Sequence, residues 1–367
     1  MKNTTPVQSY DGEQIYVGID VHKKTYVVVA RVNQVIVKKW STTAKPADLA
    51  AQLLKYFPGG NIHTVYEAGF SGFVLHRELN RRGIDNRVVH PAAVEVAVHN
   101  RVKTDKRDAE KLSTQLEAER LRGLRVPTPA QEERRMLSRT RSQLVQERTT
   151  IKHQIRMKAQ QLGLIDPEDQ REMSHQMVKE LLSRSCPEGF KIAVQAHWQI
   201  WRALDEQIQQ LTVQLKQQAE SDPCEATYRS APGVGAFSTR VLSNELGNLS
   251  AFANERQLFS YTRLTPTEHS SGEQTQRGHI SKQGNRYLRA ILLEIAWRAI
   301  RKDPDLRQFF ERLHPRAGKK RAIVAVARKL IGRIRAAFRK GERSQTGYEI
   351  SQLPTARRPH SRQACLR

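Results

Sequence analysis

Four acidic side chains stand at positions in the sequence where they could converge and hold metal ions. Asp20 ends the apolar run YVGID, Glu67 ends the run HTVYE, and Asp105 and Asp108 lie three residues apart in KTDKRDAEKL. Residues three apart on a helix share a face, and clustered carboxylates repel one another unless a divalent cation neutralises them. An all-oxygen site suits Mg²⁺ or Mn²⁺ rather than zinc. Two such ions can promote phosphoryl transfer, so the set indicates a metal-dependent, nuclease-like centre.

Each acid also has a structural explanation. Asp20, in the turn DVHKKT, could hydrogen-bond its own backbone, and the acids of KTDKRDAEKL could be solvated residues at a helix start. A binding protein with structural acids is therefore one alternative. Another is an actin-like or sugar-kinase ATPase, whose first strand also ends in a GID-type carboxylate. That class requires small Gly/Thr-rich phosphate hairpins, whereas this chain has DVHKKT at the turn.

The elements that must position these acids form an α/β pattern in the first third of the chain. The runs YVGID, TYVVVARV and VIVKKW, joined by short turns, predict an antiparallel meander. KPADLAAQLLKYFPGG and SGFVLHRELNRRG predict helices, with the strand HTVYE between them and the strand NRVVH after them. The order β-β-β-α-β-α-β is that of an RNase H-like domain, a mixed sheet with helices on both faces. This order would put Glu67 beside the hairpin of Asp20.

The middle of the chain predicts long helices. Leu137, Leu144 and Ile151 recur every seven residues, and apolar residues from Trp201 to Leu215 repeat in three-four steps. These periods are typical of a helical hairpin or coiled coil, which could dimerise the chain. IDPEDQ and CPEGF break the helices between the two stretches.

The last third of the chain predicts further helices and contacts to phosphate. APGVG between two helical patterns resembles a helix-hairpin-helix, whose glycine amides can hold a phosphate, although an ordinary helix-helix turn has the same pattern. About twenty polar residues then precede the helix NRYLRAILLEIAWRAI, a loop length that is unusual unless the loop is functional. The final helix, GKKRAIVAVARKLIGRIRAAFRKG, is apolar on one face and basic on the other. Between residues 301 and 343, 15 Lys and Arg stand against four Asp and Glu, which favours a track for a phosphate backbone.

The overall charge predicts a polyanionic partner. In 367 residues, 62 Lys and Arg against 37 Asp and Glu leave a net charge of +25. No apolar run approaches the ~20 residues that span a bilayer, so no membrane partner is expected. The first residues lack the apolar core of a signal peptide, and three cysteines with no zinc-ligand spacing favour a reducing compartment. We therefore expect a cytoplasmic protein.

The motifs, taken together and in order, resemble a known family. YVGIDVHKK, YEAG and KTDKRDAEKL, followed by APGVG, RLTPTEHSSG and RGHISKQGNRYLR, look like the DEDD transposases of the insertion-sequence 110/1111 family, recombinases related in fold to RuvC-type resolvases. The resemblance implies that Asp20, Glu67, Asp105 and Asp108 bind two Mg²⁺ or Mn²⁺ ions and that Ser271 is the nucleophile. It also implies donor and target DNA as partners, and a structured RNA, transcribed from the element, that pairs with both. A nucleoid-associated protein of a bacterium or archaeon is a further implication of the resemblance.

The residues alone do not distinguish between two candidate serine nucleophiles. A serine beside Gly272 in a polar loop is commonly a turn residue, and Ser270 next to Ser271 has the same chemistry. Serine needs a base or a metal to activate it, and here the acids lie in a different predicted domain, so the site would be composite. A junction resolvase that hydrolyses DNA with water would not need the serine. Arg263 stands where a glycine is common in the family before LTP.

The predicted organisation has five parts: an extension (1–14), an RNase H-like or RuvC-like metal domain (15–125), a helical coiled-coil oligomerisation segment (126–222), a mostly α-helical DNA-binding domain with the helix-hairpin-helix-like motif and the serine (223–343), and a basic tail (344–367). A homo-oligomer, a dimer or larger, is expected. The predicted contacts to nucleic acid are Lys103, Lys106, Arg107, Gly233, Gly235, Lys282, Arg286, Lys319, Lys320 and Arg321.

Overall fold

The computed structural model describes residues 9–95, 104–268, 277–281 and 283–341 of the chain. The chain divides into two compact units, Met1–Pro127 and Thr128–Arg367. The first is α/β and the second is almost entirely helical, so the predicted mixed N-terminal domain and helical C-terminal region are confirmed. Within the described residues, no helix is long and apolar enough to cross a membrane.

The first unit is built on one five-stranded mixed sheet with the strand order β3-β2-β1-β4-β5. Strands β1, β2 and β3 form the predicted antiparallel meander, whereas β4 pairs parallel with β1 and β5 pairs parallel with β4. Short polar turns allow the meander, and the parallel strands need helical crossovers. The strands are β1 Gln14–Val21, β2 Thr25–Val32, β3 Val35–Thr43, β4 Asn61–Glu67 and β5 Asp85–Val89.

Helices cover both faces of this sheet, as the sequence predicts. Alternate residues of a strand point to opposite faces, and Ile15, Val17 and Ile19 of β1 pack with the two crossover helices, α1 and α2. The opposite face carries Val65 of β4, which packs with α3. The helices of this unit are α1 Pro46–Tyr56, α2 Val74–Arg81 and α3 Asp105–Glu117, with a short 3₁₀ turn at Pro91–Ala93.

The second unit begins with the predicted helical hairpin. Helices α4 (Pro129–Gln161) and α6 (Glu188–Glu220) run antiparallel, because Arg141 contacts Thr212 while Arg148, farther along α4, pairs with Asp205, earlier in α6. Between them lies α5 (His175–Ser183), which packs on both at one end of the hairpin. The seven-residue and three-four periods therefore mark helices that pack on each other within one chain.

The remaining helices form a second core. They enclose Leu288, Leu292 and Ile295 from α10 and Val326 and Leu330 from α12. The bounds are α7 Glu225–Ser230, α8 Ala236–Leu246, α9 Glu255–Tyr261, α10 Arg286–Lys302, α11 Pro304–Ala317 and α12 Lys319–Lys340. Part of the predicted long polar loop is instead an antiparallel ribbon of β6 (Pro266–Glu268) and β7 (Arg277–Ile280).

The first glycine of APGVG, Gly233, is explained by packing. Gly233 has φ +79°, and a side chain there would lie 2.6 Å from the backbone N of Ala299 and 2.7 Å from the carbonyl O of Ile295, both in α10. Only glycine allows this approach and this backbone conformation. The contact is sufficient reason for a glycine at this position, so its presence alone does not argue for a phosphate site.

Candidate functional site

The carboxyl ends of β1 and β4 bring two of the predicted acids side by side. Ile19 of β1 is the parallel partner of Tyr66 of β4, so the next residues, Asp20 and Glu67, are neighbours across the sheet. Both side chains belong to the face that carries Val65 rather than to the face of Ile19, because side chains alternate along a strand. The sheet register therefore places two carboxylates next to each other at the carboxyl ends of β1 and β4, on the face that α3 covers.

A close approach of α3 to β1 brings the other two acids to the same place. A side chain at Gly18 would overlap the backbone of Ala109 and Ser113 of α3, so the helix lies directly on the strand at this residue. Asp105 is one helical turn before Ala109, toward the end of β1 that carries Asp20. Asp105 and Asp108 both lie in the first turn of α3, where the helix dipole favours acids. Thr104 caps this turn by accepting a hydrogen bond from the Arg107 amide.

His22 joins this cluster, and the sequence reasoning missed it. Its Nε2 lies 3.1 Å from Oδ2 of Asp20 and 3.1 Å from Oδ2 of Asp105. Both contacts are at ion-pair distance, and the nitrogen itself is shielded from solvent. The spacing Asp-x-His at a strand end could have revealed it, because residues two apart share a face of a strand.

The electrostatics of Asp20 show that the acids are close enough to act on one another. Partial burial raises the pKa of the Asp20 carboxyl above its ordinary value, His22 lowers it, and the charges of Asp105 and Asp108 raise it further. The net shift is upward, so the cluster disfavours the ionised form of Asp20. A cation would reverse this penalty.

The donor set fits a divalent cation. One ligand atom from each of Asp20, His22 and Asp105 lies within 4.8 Å of the other two, a spacing that one metal ion can bridge. The Nε2 of His22 is shielded from solvent and faces both carboxylates, so all three groups point into one small volume. Carboxylates suit Mg²⁺ and Mn²⁺, and an added imidazole is more typical of a transition metal such as Mn²⁺ than of Mg²⁺.

Several predicted site residues lie outside the described residues: Lys103, Ser270, Ser271 and Lys282. The others are on the surface or in the packing of their own unit. Lys106 and Arg107 are exposed on α3 beside the acids, Arg286 is exposed at the start of α10, and Gly235 caps the start of α8. Lys319, Lys320 and Arg321 are exposed in the first turn of α12.

The basic face of α12 is not uniformly available to a partner. Arg335 is buried and donates hydrogen bonds to the carbonyl groups of Phe252 and Ala253, and Arg333 pairs with the buried Asp303 at 2.9 Å. These two cations hold the helix in its unit. The exposed cations of this helix lie at its two ends: Lys319, Lys320 and Arg321 at the start, and Arg339 and Lys340 in the last turn.

Comparison with known proteins defines the class of this molecule. Residues 17–163 match the transposase model DEDD_Tnp_IS110, and residues 226–311 match the model described as transposase IS116/IS110/IS902 family. The chain is 32% identical over 306 residues to "Putative transposase y4rJ" of Sinorhizobium fredii, covering 76% of each chain. It is 26% identical over 261 residues to "Transposase for insertion sequence element IS1111A" of Coxiella burnetii, covering 69% of this chain and 71% of the relative.

These similarities establish a transposase, an enzyme that cuts DNA. The chain belongs to the IS116/IS110/IS902 family of transposases, so the resemblance drawn from its motifs is confirmed. The first family match spans the described acids from Asp20 to Asp108, and the second spans APGVG and the polar loop.

Proposed function

We propose that Asp20, Glu67, Asp105 and Asp108 hold two divalent cations, Mg²⁺ or Mn²⁺, at which this transposase cuts and rejoins DNA. The observation that carries the proposal is the convergence of Asp20 and Asp105 on one shielded nitrogen of His22, 3.1 Å from each. Glu67 adjoins Asp20 in the sheet register, and the charge of Asp108 acts on Asp20. Clustered carboxylates that shift one another's pKa, as Asp105 and Asp108 raise that of Asp20, are characteristic of functional sites.

The proposed ions would polarise the scissile phosphate and stabilise the charge that develops on the leaving oxygen. The protein's part is to hold the ligands. Asp20 and Glu67 stand on paired strands, and Asp105 and Asp108 stand on a helix fixed to β1 at Gly18. Because the ligands stand on packed strands and a packed helix rather than on loops, their positions are set before DNA binds.

The fold supports the same reading. We propose that the first unit is an RNase H-like, RuvC-like domain: its strand order, its antiparallel meander followed by two parallel strands, and its acids at the ends of the first and fourth strands agree with that assignment. The helix-hairpin-helix-like role of APGVG stays a prediction, with Gly235 at the start of α8 as its most accessible glycine.

We further propose Ser271 as the nucleophile, on the strength of the family match across residues 226–311. The serine Oγ would form a new ester bond to the scissile phosphorus as the bond from phosphorus to a deoxyribose oxygen breaks. The serine proton leaves and the released oxygen gains one, so atoms balance. Attack by a DNA hydroxyl on this ester would restore the serine and join a strand, which preserves the energy of the phosphodiester bond.

A structured guide RNA and a homo-oligomer complete the proposal. The net charge of +25 suits any nucleic acid, and RNA pairing would give sequence specificity that the protein surface need not supply. The expected result is that RNase treatment removes site-specific recombination but leaves nonspecific DNA binding. Full recombination by RNA-free protein would contradict guidance and leave a protein that reads DNA itself.

The metal site is tested by cleavage of a plasmid carrying the element that encodes this chain, in Mg²⁺ and in Mn²⁺. Asp20→Asn, Glu67→Gln, Asp105→Asn and Asp108→Asn should each abolish cleavage while DNA binding persists. The matched control is Asp85→Asn, because Asp85 also contacts a histidine, His63, at 2.9 Å, but at the other end of the same sheet. Near wild-type cleavage by any of the four variants would remove that residue from the ligand set.

The nucleophile is tested by trapping the covalent intermediate on a nicked suicide substrate and mapping the DNA-linked peptide by mass spectrometry. The adduct should fall on the peptide containing HSSG and disappear in Ser271→Ala, while Ser270→Ala still forms it. An adduct on Ser270 would move the assignment by one residue. Free DNA ends released by an active Ser271→Ala protein would make the enzyme a water-using nuclease.

A further inference from the structure

An exposed aromatic side chain stands immediately beyond the proposed metal site. Phe70 follows Glu67 by three residues and is 73% exposed. Burying a phenylalanine is favourable by roughly 1.5–3 kcal/mol, so leaving one in water forgoes a stabilising contact. Single exposed apolar residues are common on protein surfaces. The exposure of Phe70 is informative because the structure of the turn around it keeps the side chain in solvent.

The turn that carries Phe70 is fixed to the core on both sides. Before it, the Ala68 amide donates to the carbonyl O of Val89 in the next strand at 2.8 Å. After it, the buried Tyr66 donates its hydroxyl to the carbonyl O of Gly72 at 3.1 Å, and Phe73 packs against the core of the sheet. Phe70 is thus held outward by a tethered backbone.

The hydrogen bond from Tyr66 to Gly72 depends on a backbone conformation that favours glycine. Gly72 has φ +62°, the left-handed region that side chains disfavour, and its amide donates back to the carbonyl O of Gly69 at 3.4 Å. The turn therefore reverses the chain between Glu67 and α2 within a few residues. Val74, in the first turn of α2, is 63% exposed and adds a second apolar side chain to the same short segment.

We propose that Phe70 stacks on an unpaired base of the DNA strand whose phosphate is held at the acids; this inference rests on the proposed metal site. Three residues span at most about 10 Å between Cα atoms, and successive nucleotides of a strand rise about 3.4 Å in a duplex. Phe70 therefore reaches a base within a few nucleotides of a phosphate at Glu67. Stacking on an aromatic ring tolerates any base because every base has a π-face.

The function of such a stack is to keep the strand open where it is cut. A base taken out of its pair must lose its stacking on neighbours, and an aromatic ring replaces part of that loss. The surrounding charge favours the same occupant, since Lys106 and Arg107 are exposed on the helix that carries two of the acids. A protein partner would be expected to use a larger apolar patch than two side chains.

The test places 5-iododeoxyuridine at successive positions of a single-stranded oligonucleotide, irradiates it with the full-length protein, and maps the crosslinked residue by mass spectrometry. A crosslink on Phe70 is expected. Phe70→Leu, which keeps an apolar side chain without a ring, should lose that crosslink and bind the oligonucleotide about 5- to 100-fold more weakly. Phe70→Trp should retain both.

The matched control is Val35→Ala. Val35 is also exposed, at 64%, but lies at the β2–β3 turn, the opposite end of the sheet from Asp20. This variant should bind and crosslink as wild type does. If Phe70→Leu binds equally well and the crosslink lies elsewhere, the stacking proposal is wrong. A change in oligomer mass of Phe70→Leu by sedimentation, with no crosslink in the wild type, would assign the residue to a protein contact instead.

Failure of this inference can be told apart from failure of the metal site. Wild-type protein that cuts DNA but gives no crosslink on Phe70 would overturn the stack and leave the metal site standing. A crosslink on Phe70 in protein that cuts no DNA in Mg²⁺ or Mn²⁺ would retain the contact with the base and overturn the metal-dependent reaction.

Discussion

Asp20 and Asp222 are both aspartates largely withdrawn from solvent, with side chains 23% and 6% exposed, but their surroundings are opposite. Asp222, in the second unit, accepts hydrogen bonds from the Cys224 amide and from Arg240, each at 2.8 Å, and from the Ser243 hydroxyl. Asp20, in the first unit, is acted on by the charges of two other carboxylates, Asp105 and Asp108, and contacts one histidine.

The pKa shifts of the two groups follow from these surroundings. Burial raises the pKa of Asp20, and the neighbouring acids add to that rise against the opposing effect of His22. Burial would also raise the pKa of Asp222, but the hydrogen bonds from Ser243, Cys224 and Arg240 outweigh it and lower the pKa. A satisfied buried carboxylate is structural, whereas a crowded and poorly compensated one costs stability and indicates function.

The sharpest way to separate the two aspartates is a cleavage assay. Asp20→Asn should lower the rate of DNA cleavage by at least about 1,000-fold, because a bound metal supplies several kcal/mol of transition-state stabilisation. Asp222→Asn should cut at close to the wild-type rate at temperatures where it stays folded. Equal losses in the two variants would break the comparison and point to misfolding as the common cause.

The second expected effect is on stability, and here Asp222→Asn should lose more than Asp20→Asn. Asp222→Asn should destabilise the second unit by about 2 kcal/mol, because it removes one of the two carboxylates that accept from the buried Arg240, which keeps Glu225. Hydrogen exchange of the amides of α7 and α8 measures this locally. Asp20→Asn should leave the exchange of its own sheet unchanged or slower, since it relieves repulsion from Asp105 and Asp108. Faster exchange in that variant would contradict the crowding.

A divalent cation should affect only the first of the two sites. Mn²⁺ at about 100 times its dissociation constant stabilises a protein by about 2.7 kcal/mol, so the first unit should melt at a higher temperature with Mn²⁺ and return to its original value with EDTA. The shift should be largely lost in Asp20→Asn and kept in Asp222→Asn. An equal shift in wild type and Asp20→Asn would place the ion elsewhere.

The smallest expected effect is a pH dependence of opposite sign. A raised folded pKa means that the contribution of Asp20 to stability is present below the ordinary aspartate value of 3.8 and is lost as pH rises through the folded pKa. The lowered pKa of Asp222 gives a contribution present above 3.8 and lost as pH falls through its folded pKa.

Urea unfolding of the metal-free protein, from about pH 3 to pH 7, compares each variant with the wild type. Asp20→Asn should gain on the wild type as pH rises, and Asp222→Asn should lose ground over the same rise. Curves of the same sign for both variants would show that the two environments do not differ as described.

Much of the first unit could be predicted from the sequence because its signals are local. Alternation and turn residues fix the strands, and the order of elements predicts the mixed sheet with Asp20 and Glu67 at strand ends. His22 escaped notice because one histidine in a polar turn has no periodic signal. Its contact with Asp105 depends on a helix that starts more than eighty residues later.

In the helical unit, too, the sequence predicted the apolar face of a helix but not the contacts of its charged residues. The apolar face of α12 was predictable from its period, and Ile323, Val326, Leu330 and Ile334 are buried as expected. That Arg333 and Arg335 are used inside the unit was not predictable, because basic residues facing water and basic residues facing buried acceptors have the same spacing. Arg263 has φ +59°, a backbone conformation that favours glycine, which agrees with the glycine that the motif resemblance leads us to expect at this position.

The sequence by itself determined which segments form strands and helices, the positions of the acids at strand and helix ends, and membership of the transposase family. Each of these follows from local sequence patterns and motifs. The tertiary structure alone decided that Asp105 meets Asp20 and His22. That meeting depends on α3 lying directly on β1 at Gly18, a contact between segments about ninety residues apart. Close packing across such a distance depends on the shapes of both surfaces at once, and no local pattern records it.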